Sequence, residues 1–316
     1  RHCAFLSQVR AAAQCQGGQA TFHLLELCGS CSLVGLAAAS PHGPSAVLPP
    51  ESLVVVRAAS REHGQILGVL AAANGLDRLR VQSGEVSELL GAQGQDWLHA
   101  FHCIVADVVE GCGLLRQGAL EELEIACQWL LQHPTPAAPG GIVLPSQVAL
   151  TLQLVECPLL AEQNQVREDA ADGVNLSALN EFGVRLFREL PLSHLPHKRL
   201  SDAYSSAARL QFPGGFSDDR ELVVRVEDSG TLHAVVFWFE LYGHQGAQQP
   251  AVMTTTGPVG GAESQTPAHW RQAAVALQPP LSVHAGEALC LRVRLGIGVS
   301  GGVGIEVVGR HEERGE

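Results

Sequence analysis

The sequence predicts an α/β chain in two parts, a parallel-sheet domain followed by an antiparallel β domain, and three observations carry that expectation. The stretch from Thr21 to Ala39 reads strand, tight turn, helix. A short apolar run, Phe22-His23-Leu24-Leu25-Glu26-Leu27, meets the small residues Cys28-Gly29-Ser30-Cys31-Ser32 and then Leu33-Val34-Gly35-Leu36-Ala37-Ala38-Ala39. Up to about residue 157, further apolar strands alternate with helical patterns, as in a sheet wound by crossover helices. From Leu210 onward the chain reads as strands with short turns, a spacing that fits a β-barrel or sandwich. The expected division is therefore 1–157 and 158–316.

Composition bounds the function. At 316 residues, with 46% hydrophobic and 16% charged side chains, the chain can bury two cores. A net charge of −12 with 20 Lys+Arg argues against nucleic-acid phosphate binding; it suits a basic partner such as an arginine-bearing peptide, and it also serves solubility. No run reaches the 18 or so apolar residues of a membrane span, and Arg1 to Leu6 is not a signal peptide. Nine cysteines without a regular framework fit reduced thiols in the cytoplasm or nucleus. With no initiator methionine, and Met253 the sole methionine, the chain reads as the C-terminal portion of something longer.

Taken in order, Ala4 to Gln16 is rich in helix formers and leads through Gly17-Gly18 into the first strand. The turn after that strand is where backbone N–H groups and a helix N-terminus meet nucleotide-like ligands, and Glu26 at the strand end suits a ligand amine or hydroxyl. Cys28-x-x-Cys31 as a redox or zinc pair would need a second ligand pair, and only His99 and His102 have metal-like spacing; two small core cysteines is the simpler reading. A nucleophile elbow would need glycines at Cys28 and Ser32. Residues 40–50 form a Pro/Gly loop, Leu53–Val56 a buried strand, and His63–Ala73 a helix with Ile66, Leu67 and Leu70 on one face, stopped by Asn74-Gly75. Phe101–Asp107 is the fourth strand. Ala119–Leu131 is an amphipathic helix with Leu120, Leu123, Ile125, Ala126 and Leu130 inward and Glu121, Glu122 and Glu124 largely outward. Ile142–Ser146 and Ala149–Cys157 are strands; 159–196 is loop-rich, with 175–180 a short helix. The later strands are 221–226, 232–242, 270–277 and 288–295.

The strand-turn-helix resembles the first motif of the class I S-adenosylmethionine methyltransferases, with Glu26 in the acidic place and Cys28, Ser30 and Ser32 in the three glycine places. The C-terminal half narrows this. Leu232-His233-Ala234-Val235-Val236-Phe237-Trp238-Phe239-Glu240-Leu241 resembles a barrel strand of the protein arginine methyltransferases. Thr255-Thr256-Gly257-Pro258 followed by Ala268-His269-Trp270-Arg271-Gln272 is similar to that family's Thr-His-Trp loop region. The resemblance implies a Rossmann-like class I methyltransferase domain followed by an antiparallel β-barrel with a short dimerisation-type insertion. It also implies S-adenosylmethionine as the family's cofactor and protein arginine as substrate. Arg10 matches an arginine that pairs with the cofactor carboxylate, Ala58 stands where an acid binds the ribose, and Ser87 stands where a glutamate accepts the adenine amine. In the hairpin that grips the guanidinium, Asp107 keeps one acid and Arg116 takes the place of the second; Glu110 serves only if the loop is rewound. Ala268 replaces the loop threonine, and His269 stays.

Two carboxylates grip a planar guanidinium, whereas a cation in their midst repels it. With the motif glycines, the ribose acid, the adenine acid and one hairpin acid all replaced, the resemblance implies a silent module of a tandem enzyme. Such a module packs as a pseudo-dimer on an active N-terminal module of the same chain and does not itself bind the cofactor. The alternative is a divergent but active methyltransferase using Arg10, Asp107, Glu110 and His269. A third reading is an adaptor that binds basic peptides on its acidic surface.

Overall fold

The computed structural model describes residues 2–15, 21–27, 33–40, 48–91, 97–136, 139–163, 174, 176–182, 185–244, 252–258 and 271–311. In chain order the first part contains α1 (His2–Cys15), β1 (Leu24–Leu27), α2 (Leu33–Ala39), β2 (Val54–Ala58), α3 (Arg61–Ala73), β3 (Leu79–Ser83), β4 (Cys103–Ala106), α4 (Ala119–Trp129) and β5 (Ile142–Leu144). The strands form one parallel sheet in the order β3-β2-β1-β4-β5. The chain starts in mid-sheet, runs outward to β3 and returns on the other side at β4. The order therefore reverses between β1 and β4, and the crevice of such a sheet opens above the carboxyl ends there.

Side chains two apart along a strand share a face, and that period sorts the sheet into two cores. Leu24, Val54, Val56, Ala58, Cys103 and Val105 pack against α1, α2 and α3 with Phe5, Val9, Val34, Ala38 and Leu67. Leu25, Leu27, Val55, Ile104 and Ala106 face α4, with Leu120, Leu123, Ala126 and Leu130. A fully buried leucine such as Leu123 contributes roughly 2–3 kcal/mol. Ser60 caps α3 by accepting the His63 N–H at 3.2 Å, which accounts for a start two residues ahead of the predicted His63. The predicted face of that helix is only partly inward. Leu67 is buried, while Ile66, Val69 and Leu70 are exposed.

The second part contains β6 (Gln147–Glu156), α5 (Pro158–Glu162), β7 (Leu186–Leu190), β8 (Lys198–Arg199), β9 (Tyr204–Gln211), β10 (Ser217–Arg225), β11 (Gly230–Tyr242), β12 (Val252–Thr255), β13 (Gln272–Val283), β14 (Ala288–Gly296) and β15 (Val303–Arg310). β7-β13-β11-β6-β8 form a sheet that β9 and β12 join, and β10-β14-β15 form another; all of their pairings are antiparallel. Leu150, Leu152, Phe237 and Phe239 from the first sheet share one apolar core with Leu222, Val224, Leu291 and Val293 from the second, a barrel-like arrangement whose hydrogen bonding is not closed among the described residues. This core is continuous with the α4 side of the parallel sheet. The expected first part, 1–157, includes β6, yet the antiparallel partners of β6 are β8, β9 and β11. β6 is buried along nine of its ten positions because its other face is covered too. Gln153 there donates to the Ser201 carbonyl at 3.0 Å, and the Ser201 hydroxyl accepts the Leu154 N–H at 3.0 Å.

Candidate functional site

Glu26 is the third residue of β1 and faces the α2 side. It is 5% exposed, and its Oε2 accepts the N–H of Gly35 at 2.5 Å. An anion there meets the positive end of the helix, so the carboxylate ties β1 to α2. Cys28, Ser30, Cys31 and Ser32 lie outside the described residues, as do Ala268, His269 and Trp270. Arg10 lies half-buried on α1, between the buried Val9 and Ala12. Ser87 is exposed in a short 3-10 turn (Val86–Leu90) and donates to the Glu85 carboxylate at 3.2 Å.

Beyond β4 the chain makes a small hairpin. Asp107 is half-buried one residue past the strand, its N–H donated to the Leu27 carbonyl at 3.2 Å. Val109 and Leu115 then bridge antiparallel, the Glu110 N–H bonds to the Leu114 carbonyl at 2.9 Å, and the Arg116 N–H bonds to the Val108 carbonyl at 2.8 Å. Asp107 and Arg116 thus stand at the two feet of the hairpin. Glu110 is at its exposed tip, where it accepts the Cys112 thiol at 3.3 Å. Burial, followed by that carboxylate, raises the pKa of Cys112 above the ordinary thiol value. The Arg116 guanidinium reaches back to the Leu27 carbonyl, at the end of β1, at 3.4 Å. The tip is stitched to the β domain: the Arg271 N–H bonds to the Gly111 carbonyl at 3.1 Å and the Glu189 N–H to the Cys112 carbonyl at 2.9 Å. The segment that follows His269 therefore enters β13 beside the hairpin. Gln272 continues the tie, donating to the Thr256 carbonyl at 2.7 Å and accepting the Leu192 N–H at 3.2 Å.

The end of β2 carries a buried cation. Ala58 is fully buried on the α2/α3 side, so the residue that turns toward α4 at that strand end is Arg57. Its Nε donates to the Gly84 carbonyl at 2.8 Å and its Nη2 pairs with Glu122 on α4. Glu122, expected outward, is half-buried as a result. Burial pushes its carboxyl above the usual range, against the opposing pull of Arg57 and Arg116. Sequence reasoning passed over this pair, although a single arginine inside Val-Val-Val-Arg-Ala was a usable signal, since a buried cation needs a counter-charge.

His99 and His102 engage different neighbours. The His99 ring meets His133, with centroids 3.9 Å apart, and its Nδ1 bonds to the Leu131 carbonyl. His102 stacks on Phe22 and lies edge-on to His23. Among the described residues no group of three or more His, Cys, Asp or Glu side chains could hold a metal ion. No helix among them is long and apolar enough to cross a membrane.

Strand order, carboxyl-edge crevice and hairpin together define a class I methyltransferase-type domain joined to a barrel-like antiparallel domain. No family model matches the chain. It is 34% identical over 193 residues to protein arginine N-methyltransferase 9 of Mus musculus, a match that covers 60% of this chain and 21% of that protein. It is 31% identical over 195 residues to the arginine N(omega)-methyltransferase of Streptomyces achromogenes subsp. streptozoticus, again over 60% of this chain and 48% of the relative. The chain thus spans about a fifth to a half of the length of these relatives. In fold it is similar to a chain of the Trypanosoma brucei PRMT1 enzyme-prozyme heterotetrameric complex with AdoHcy, with a TM-score of 0.65 at 16% identity, covering 97% of this chain and 92% of that one. Over 60% of its length the chain is thus similar in sequence to arginine N-methyltransferases.

Proposed function

We propose that this chain is a catalytically silent module of a tandem protein arginine methyltransferase, packing as a pseudo-dimer on an active N-terminal module that methylates protein arginine. The observation that carries this reading is the pair of guanidinium groups at the carboxyl edge, Arg57 near the end of β2 and Arg116 at the hairpin foot. A methyl acceptor arginine must be held by carboxylates, and a sulfonium cofactor is itself a cation. Guanidinium donors already take up the Gly84 carbonyl, the Glu122 carboxylate and the Leu27 carbonyl, acceptors that a cationic ligand at that edge would need. The Glu26 oxygen that accepts Gly35 N–H is turned to the helix and not to the crevice, which supports the same reading. Docking is supported by the uncovered apolar side of α3, where Ile66 and Val69 are 48% and 69% exposed. Free thiols suit the reducing cytoplasm or nucleus.

Calorimetric titration of the isolated chain with S-adenosylmethionine tests this directly. No saturable binding is expected at concentrations up to about 100 times the micromolar range. Micromolar binding, or transfer of labelled methyl to an arginine-rich peptide above the level of an Asp107→Asn variant, would establish the divergent-enzyme reading in its place.

A further inference from the structure

At the amino edge of the parallel sheet, the end of the strands away from the hairpin, lies a cavity of about 590 Å³. Its walls come from the end of α1, the end of α4 with the turn after it, the segment entering β5 and, from the β domain, Pro213 and His244. That volume is in the range of small-molecule sites. No Asp, Glu, Lys or Arg is among the described residues that line it, in a chain of net charge −12. Burial pushes the Cys127 thiol in its wall up to about 12, so that group is neutral as well. Pro134, Pro139 and Pro213 contribute rings without an N–H donor, faces against which an aromatic ring packs.

One polar group in this lining is unmet. Gln132 is fixed by its main chain, its N–H bonding to the Phe101 carbonyl and its carbonyl accepting the Gly141 N–H, both at 2.8 Å. Its side-chain Oε1 is buried and accepts no hydrogen bond among the described residues. A buried acceptor without a donor is costly, and the terminal amide torsion of glutamine is soft enough to present that oxygen to the cavity. We propose that this cavity binds a neutral aromatic small molecule with one N–H or O–H donor, its ring packed on the prolines and its donor bonded to Gln132 Oε1. The site lies at the opposite edge from Arg57 and Arg116, and the silent-module reading neither supports it nor depends on it.

Indole is the probe, and benzothiophene, the same fused rings with sulfur in place of the N–H, is its control. Calorimetric titration of the whole chain with indole is expected to saturate with a dissociation constant of about 0.1 mM or tighter, and benzothiophene to bind about tenfold more weakly. Gln132→Leu, its fold checked by circular dichroism melting, is expected to lose about tenfold in affinity for indole and nothing for benzothiophene. Location is read from two exposed thiols on α1, of which Cys15 lines the cavity and Cys3 does not. Saturating indole is expected to slow iodoacetamide alkylation of Cys15 by about fivefold or more and to leave Cys3 unchanged. Absence of saturable indole binding overturns the proposal. So do equal binding of benzothiophene by the wild-type chain, undiminished indole affinity in a folded Gln132→Leu, and a Cys15 that indole does not protect. The ligand pair and the thiol readout use the wild-type chain, so they decide the proposal even if Gln132→Leu does not fold.

Discussion

Replacing Arg57 by methionine keeps most of the side-chain volume but leaves Glu122 half-buried without its cation. Breaking such a pair from one side should cost about 2–3 kcal/mol of unfolding free energy, the low end because the Glu122 side chain is 25% exposed. Adding Glu122→Gln to Arg57→Met should recover most of that loss, and urea denaturation of the four proteins in the cycle measures it. A second residue-level effect comes from His23 and His102 at the amino edge of the sheet. The Nδ1 of His102 accepts the His23 N–H at 3.0 Å and the Nδ1 of His23 accepts the Leu53 N–H at 3.3 Å, so both rings are neutral in the fold. Burial lowers the pKa of both below 6.5, and for His102 the neighbouring His23 adds to it. The unfolded chain therefore takes up protons first. Stability is complete above 6.5 and is lost as pH falls through the lowered native values. Melting temperature should fall between about pH 7 and about pH 5, and more steeply for wild type than for His102→Asn, whose amide oxygen accepts the same N–H without titrating. Equal slopes would assign the pH dependence elsewhere. Asp107 and Arg116 were legible in the sequence because a hairpin keeps count of residues. The Arg57–Glu122 pair was not, because it joins residues 65 apart that only strand order and helix placement bring together.

Elements show the same division. Strand β1, the helices α2, α3 and α4, and the long strands β11 and β14 all follow apolar period. By contrast β9, Tyr-Ser-Ser-Ala-Ala-Arg-Leu-Gln, carries little strand propensity and exists because β6 offers it an edge. β15 holds two glycines and is a strand because β14 pairs with it. The hairpin after β4 is positioned by contact with β13, and Gly113 is the point of closest approach. Its φ is +86°, and an added Cβ would lie 2.7 Å from the Gln272 carbonyl carbon and 2.8 Å from the Arg271 oxygen. Gly113→Ala should therefore cost about 2 kcal/mol or more, through strain and backbone collision together. Gly111→Ala, which meets open space, should change stability by less than about 1 kcal/mol. Thermal denaturation distinguishes the two, and a tolerated Gly113→Ala would mean that the hairpin is not pressed on β13.

For the whole molecule, one apolar core passes from α4 into the β domain, so the two parts are expected to unfold together in a single transition. The outer side of α3 lies away from that core and is the surface on which the proposed docking of an active module would fall. In a chain carrying both modules, Ile66→Glu with Val69→Glu should lower arginine methylation roughly tenfold, the equivalent of about 1.4 kcal/mol of lost coupling. The unfolding free energy of this module alone should change by less than about 1 kcal/mol, since both side chains are largely exposed. Undiminished methylation by the doubly substituted chain would detach α3 from that role.

Local order was written into the chain: apolar period set which segments become helix or strand, and small residues such as Asn74 and Gly75 marked where a helix ends. Tertiary structure alone decided that β6 hydrogen-bonds within the antiparallel sheet, that Arg57 rather than Ala58 faces α4, and that Glu122 turns inward to meet it. The physical reason is that period and propensity act over a few neighbouring residues. Buried charges and edge strands are settled by partners that the chain meets only after it has folded back on itself.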